Sequence, residues 1–501
     1  MRALLIIYLV VLSSFFIACN SIPESIDISS PVVKAKFQKL TTHDEMMAFL
    51  AMADSLNGNI QLEVLGSLGD DYVMPVVKIA TKKTNKHKVK VMILAQQHGD
   101  EPSGKEAVLE LIAGFADGRF DELLKNLELY IFPQVNPWGG DHDVRRNKND
   151  LDLNRDHLLL QSKEDQFVHH FFHNIKPQVT IDVHEYDPYY QEWTDFGYYK
   201  NADVQLGGLT NPMANKKITD LFYQKLLPTV QKDVETSGYS FTEYTLGQIY
   251  NEEGRLRHST VHIDDGRQSF GLMQTLSMII EGKYGHNSID NLQRRTESQY
   301  TILQSILKNL SLNKRLVLKT VEEARINLVN RGPQRKFGVR FTHVQNGQKF
   351  AFPLWSIEEK KDTIFMVDRY YPERETTYSV DVPVGYLVAS NDSLLIDWMN
   401  MQKILYTSFS LEDGMQVMGY KIEENTIKKS FEGWEFIDLK VQQEMIYVNP
   451  EQYVFIPIHQ WSAKKIILAF EPQSMLALIN EAPFSYLLES EDYPILKVVH
   501  N

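Results

Sequence analysis

Four short apolar runs, at residues 89–95, 129–132, 179–183 and 276–280, each break off into polar residues of the kind that bind metals or carry protons. The first ends in Gln96-Gln97-His98-Gly99-Asp100-Glu101 and the second in Pro133-Gln134-Val135-Asn136-Pro137. The third ends in His184-Glu185, the fourth in Glu281. Brief runs bounded in this way read as buried strands. Between them lie stretches of helical spacing: residues 104–115 put Ala107, Leu111 and Ile112 on one face, and 164–175 and 291–310 repeat the pattern. This alternation predicts an α/β fold over residues 37–312, with a mixed, largely parallel central sheet flanked by helices. In such sheets ligands bind outside the carboxyl ends of the strands, so four strand ends point at one crevice.

The texture differs at both ends of the chain. Residues 313–337 read as a connecting helix or linker, and residues 338–501, rich in Val, Tyr, Phe and Thr with frequent turn signals, read as a β-rich C-terminal domain. That domain shows no metal or nucleophile arrangement, and its role is not legible. At the other end, Met1-Arg2 precedes an apolar run that is shorter than the roughly 20 residues of a membrane span, and therefore reads as an export signal. The chain's one cysteine, Cys19, closes that run in Phe16-Ile17-Ala18-Cys19-Asn20-Ser21. This resembles a bacterial lipobox, with Phe16 where Leu is commoner. The expectation is a lipoprotein signal over 1–19, lipid on Cys19, a tether over 20–36 and a bacterial protein held on a membrane at the periplasm or cell surface. The alternative is an uncleaved anchor with the cysteine buried in it. With one cysteine there is no internal disulfide, and a net charge of -13 argues against nucleic acid as a partner.

A His-x-x-Glu pair is weak evidence among 15 histidines. Position gives His98 and Glu101 their weight, because they follow a buried strand directly, where two ligands three residues apart turn toward one ion. Gly99 between them relaxes the backbone. His184 supplies a third ligand from another strand end. Two histidines, one carboxylate and an open fourth position describe a catalytic zinc (Zn2+) site rather than a closed structural one. The rival metal site is His169 with His173, four apart on a predicted helix, but no glutamate follows the first histidine, and these read as surface or helix-end residues.

The loop Arg145-Arg146-Asn147-Lys148-Asn149-Asp150-Leu151-Asp152-Leu153-Asn154-Arg155-Asp156 is too polar for a core. Taken with His-x-x-Glu, Asn136-Pro137-Trp138-Gly139, the later strand-end His184 and the final Glu281, it resembles the zinc carboxypeptidases of the carboxypeptidase A (M14) family, over residues 74–306. The resemblance implies a metallocarboxypeptidase acting on peptides with a free C-terminal carboxylate. It makes His98, Glu101 and His184 the zinc ligands and Glu281 the catalytic base. Arg145 becomes the oxyanion-stabilising arginine, Arg146 being the alternative one residue along. Asn154 and Arg155 become the grip on the terminal carboxylate, and Asp152 the partner of a zinc-bound histidine, His98. Asp150 stands where the family commonly has glycine, and no substrate-clamping tyrosine can be placed. Arg255, Arg257, His258 and Arg267 offer cations near the site, for an acidic part of the substrate or for ordinary loop salt bridges. A related zinc amidase, deacylase or peptidoglycan-peptide hydrolase, and a non-catalytic binding lipoprotein, are the alternative functions.

Overall fold

The computed structural model describes residues 28–82, 87–249 and 254–500. Cys19, the whole signal segment and the first part of the expected tether lie outside them. No helix among the described residues is long and apolar enough to cross a membrane. The last part of that tether is packed: Val32 is buried, and Ser30 donates from its hydroxyl to Glu110.

Eight strands form the main sheet: β1 (Ile60–Gly69), β2 (Tyr72–Ile79), β3 (Val89–Ala95), β4 (Leu127–Phe132), β5 (Val179–Tyr186), β6 (Val204–Gly207), β7 (Phe241–Glu243) and β8 (Leu276–Lys283). Their order is β1-β2-β4-β3-β5-β8-β6-β7. The central strands β4, β3, β5 and β8 run parallel, and antiparallel pairings bring in β2 on one side and β6 on the other. This is the mixed, largely parallel sheet that the alternating runs predict.

Side-chain alternation along the strands feeds two cores. Val89, Val91 and Ile93 of β3 face one core, Met92 and Leu94 the other. The first is closed by helices α1 (His43–Leu56), α2 (Ser103–Ala116), α4 (Leu227–Thr236), α6 (Leu292–Leu312) and α7 (Lys314–Arg331). The second is closed by α3 (Lys163–Ile175) and α5 (Gly266–Leu272), through Phe171, Phe172 and Phe270. α7 falls within the stretch expected to connect the domains, yet it buries Val317, Val321 and Ala324 in the first core and so belongs to it.

Beyond Lys336 the chain is β-rich, as expected, and its largest sheet has six antiparallel strands. It does not stand apart. The strand Phe350–Ser356 pairs with Tyr198–Lys200, matching Leu354 to Lys200, and Tyr370–Tyr371 pairs with Leu256–Arg257. A shared core joins Leu158, Val261, Ile263 and Leu272 to Trp398, Ile466 and Phe470, the last two from helix α8 (Ala463–Phe470).

Candidate metal and catalytic site

The parallel register of β5 and β8 places His184 directly beside Glu281. From the neighbouring end of β3 the chain enters the loop that carries His98 and Glu101. Gly99 has a different reason from the one its sequence suggests. Its backbone is not left-handed; instead a Cβ there would lie 2.1 Å from the carbonyl carbon of Gly139 and 2.4 Å from the oxygen of Val144. The loop after β4 presses against it, and the Gly99 N–H donates to the Arg145 carbonyl (3.2 Å). Only glycine allows that approach, which is how the arginine loop is brought onto the histidine loop.

His98 Nδ1 lies 2.8 Å from Glu101 Oε1, His184 Nδ1 lies 2.9 Å from Glu101 Oε2, and the two Nδ1 atoms are 3.1 Å apart. These three residues are the one His/Cys/Asp/Glu group among the described residues whose ligand atoms all converge, within 4.8 Å of one another. Each imidazole turns its other nitrogen to a carboxylate: His98 Nε2 to Asp152 Oδ1 and His184 Nε2 to Asp182 Oδ1, both at 3.0 Å. That backing fixes the tautomer which frees Nδ1 for a metal, and with two nitrogens and one carboxylate the donor set fits zinc. Burial opposes ionisation of Glu101, but the charges and hydrogen bonds of His98 and His184 outweigh it and hold its carboxyl below the usual range. Asp152 is likewise pulled down, against its burial, by His98 and by Arg145 and Arg155.

Arg145 lies beside the three candidate ligands. Its guanidinium meets Asp152 at 3.0 Å and reaches within 3.4 Å of Glu101. Arg146 instead turns to its own loop, donating to the Asp150 carbonyl (2.7 Å). Asp150 itself adopts φ +59°, the left-handed conformation that glycine takes most easily, so the turn is built in the usual way with aspartate in the strained position. Arg155 stays exposed to solvent, lies in the field of Asp264, Asp152 and Asp265, and donates to the Asn154 carbonyl (2.5 Å). Asn154 is engaged at both ends of its amide: the nitrogen lies 3.1 Å from His184 Nε2, and the oxygen accepts from the Gly266 N–H (2.9 Å). Through its oxygen it ties this loop to the start of α5.

Glu281 is 7% exposed and lines a cavity of about 360 Å³ together with His98, Glu101, Arg145, Arg155 and His184. Burial pushes its carboxyl up to about 7, while the charge of His184 works against the rise and Glu101 adds to it. Such a group exchanges protons near neutral pH, as a base must.

Sequence reasoning missed several members of this site. Asp182 lies inside an apolar strand, one alternation before His184. Tyr244 follows β7, packs its ring 5.6 Å from the Arg267 guanidinium and draws the Glu281 carboxyl back down through its hydroxyl. Lys200 enters the cavity from a three-residue strand. Of the four cationic candidates only Arg267 lines the cavity; Arg255 stacks on Phe431, Arg257 donates to the His258 carbonyl, and His258 bonds the Tyr370 hydroxyl. The rival pair is corrected as well: His169 is fully buried rather than at the surface, with Nε2 3.0 Å from His157 Nδ1, and His173 sits against Trp461. Burial pushes both below the usual histidine range.

Residues 51–189, which hold all three ligands, both arginines and Asp152, match the family model described as zinc carboxypeptidase. That stretch is similar to zinc carboxypeptidases. Zinc is the metal of that family, and His98, Glu101 and His184 are the group able to hold it. Among relatives, the chain is 26% identical over 295 residues to carboxypeptidase 2 of Trichophyton equinum, covering 55% of this chain and 54% of the fungal one. It is 39% identical over 64 residues to carboxypeptidase SOL1 of Arabidopsis thaliana, covering 12% and 13% respectively. The chain thus spans about half the length of the curated relatives it matches. Among solved structures, a metallo-carboxypeptidase from Burkholderia cenocepacia superposes with a TM-score of 0.43 at 20% identity, covering 54% of this chain and 69% of that one.

Proposed function

We propose that this protein is a zinc metallocarboxypeptidase that removes the C-terminal residue of peptides. The observation that supports it is the meeting, around one solvent-open cavity, of the His98-Glu101-His184 group with a carboxyl poised near neutrality and two arginines of distinct surroundings. Zinc held by the three ligands would polarise the scissile carbonyl and lower the pKa of a bound water toward about 7. Around it, each residue has a task set by its position. Glu281 accepts the proton of the attacking water and returns it to the leaving amine. Arg145, fixed by Asp152, offers a guanidinium where negative charge gathers on the carbonyl oxygen. Arg155, lining the cavity with its guanidinium open to solvent, takes the terminal carboxylate through its planar fork. Asp152 and Asp182 hold the ligand rings in orientation.

Cys19 and the segment before it support export and a lipid anchor, which would put this chemistry on a membrane surface facing extracytoplasmic peptides. Substituting Glu281→Gln tests the catalytic reading. It is expected to keep one zinc per chain by elemental analysis and to lose hydrolysis by several orders of magnitude. Wild-type turnover in that variant removes Glu281 from the mechanism, and a product other than a shortened peptide plus one amino acid redirects the assignment to an amidase or deacylase.

A further inference from the structure

The cavity is charged beyond what gripping one carboxylate requires. Arg267 is 1% exposed and lines it from the first turn of α5. Its Nη2 donates to Ser259 Oγ (2.6 Å) and Asp265 Oδ2 (2.9 Å), but Nε and Nη1 are buried with no hydrogen-bond partner among the described residues. A guanidinium carries five N–H donors, and leaving part of that set unmatched away from water costs free energy that an arriving acceptor restores. Asp265 meets only Nη2, its other oxygen accepting from the Gln268 N–H (2.7 Å) as the cap of α5.

A second cation lines the same cavity. Lys200 is 8% exposed, and its ammonium faces the rings of Trp193, Tyr186 and Phe352 at 5.6–6.0 Å. Burial lowers it to about 8, while the nearby charge of Glu281 works in the opposite direction. The same cavity is also lined by Tyr244, Leu246 and Ile279. A side chain in this cavity has both apolar surface and buried positive charge within its lining.

We propose that Arg267, assisted by Lys200, forms a subsite for a side-chain carboxylate, so that the preferred substrates end in an acidic residue. The inference rests on the carboxypeptidase reading above, in which Arg155 takes the terminal carboxylate and leaves Arg267 for the second one. An acidic side chain completes the unmatched donors of Arg267. An apolar one leaves them unmatched, and a basic one buries like charges together; both are rejected by the same group.

The test uses the zinc-loaded full chain and N-acylated dipeptides that differ only in a C-terminal Glu, Asp, Leu or Lys, with released amino acid measured by mass. The expected kcat/KM for Glu or Asp exceeds that for Leu by at least about tenfold, and that for Lys by more. In Arg267→Met the Glu-to-Leu ratio is expected to collapse to within about threefold, a change of ratio that general damage to the fold does not produce. Circular dichroism and zinc content verify folding; if Arg267→Met fails them, Lys200→Met carries the same ratio test, with a smaller fall expected. Equal or faster release of Leu or Lys by the wild-type protein, or a ratio unmoved in the folded variants, overturns the subsite and leaves the carboxypeptidase reading standing. No release of a single residue from any peptide overturns that reading and this one together.

Discussion

Asp152 engages two groups of the candidate site at once. Its Oδ1 holds His98 Nε2 at 3.0 Å and its Oδ2 receives Arg145, so one carboxylate orients both a metal ligand and the arginine beside it. Asp152→Ala is therefore expected to weaken zinc binding about 10–100-fold, as removal of a partner behind a metal-bound histidine typically does. A chelator competition titration measures this, with Arg146→Ala as the control, since that side chain spends itself on its own loop. An Asp152→Ala Kd within twofold of wild type would dissociate the carboxylate from metal binding. Residues of this kind differ in how far the sequence exposes them. Asp152 is legible because it belongs to a dense polar motif. Asp182 is not, since an aspartate inside Val179-Thr180-Ile181-Asp182-Val183 looks like a blemish in a strand until the ring of His184 is seen beside it. Tyr244 and Lys200 carry no local signal: what brings them to Glu281 is the approach of segments far apart in the chain.

At the scale of elements, the strands announce themselves because apolar runs and period-two alternation are local properties, and the ladder of β5 and β8 then converts two strand ends into a neighbouring histidine and glutamate. Helix contacts are less readable. α8 puts Lys465, 1% exposed, against α5, with its ammonium donating to Ser269 Oγ (2.7 Å) and Gln402 Oε1 (2.8 Å). Burial lowers this lysine to about 7. Between pH 7 and about 10.4 the unfolded chain holds the proton and the folded chain does not, so stability rises with pH across that window, by up to about 1.4 kcal/mol per unit for one group. Melting curves at pH 7 and pH 9 are expected to show this rise in the wild type and a smaller one in Lys465→Met; equal rises in the two proteins would place the titration elsewhere. The same contact makes a route from the C-terminal helices to the metal: Gln402 donates to the His157 carbonyl, His157 Nε2 lies 2.8 Å from Gln97 Oε1, and Gln97 donates to Asp182.

The whole molecule is less divisible than its sequence suggests. A change of texture near residue 338 reads as a boundary, because composition is averaged along the chain while packing is not. In the structure the later region lends a partner strand to Tyr198–Lys200 and another to Leu256–Arg257, and it covers Leu158, Val261, Ile263 and Leu272. Truncation after Arg331 is expected to give an insoluble or unfolded product rather than an active core, and the full chain to melt in one transition followed equally by backbone and aromatic circular dichroism. A soluble, active truncated protein, or two resolved transitions, would restore an autonomous catalytic unit.

The pairing of Lys200 with Leu354 has one more implication. Strand addition fixes side-chain facing by parity, so an insertion or deletion of a single residue in the hairpin that supplies Leu354 would turn alternate side chains of the joint to the opposite side. Substrate preference could then drift through length changes in a surface hairpin, with every metal ligand and the base left untouched.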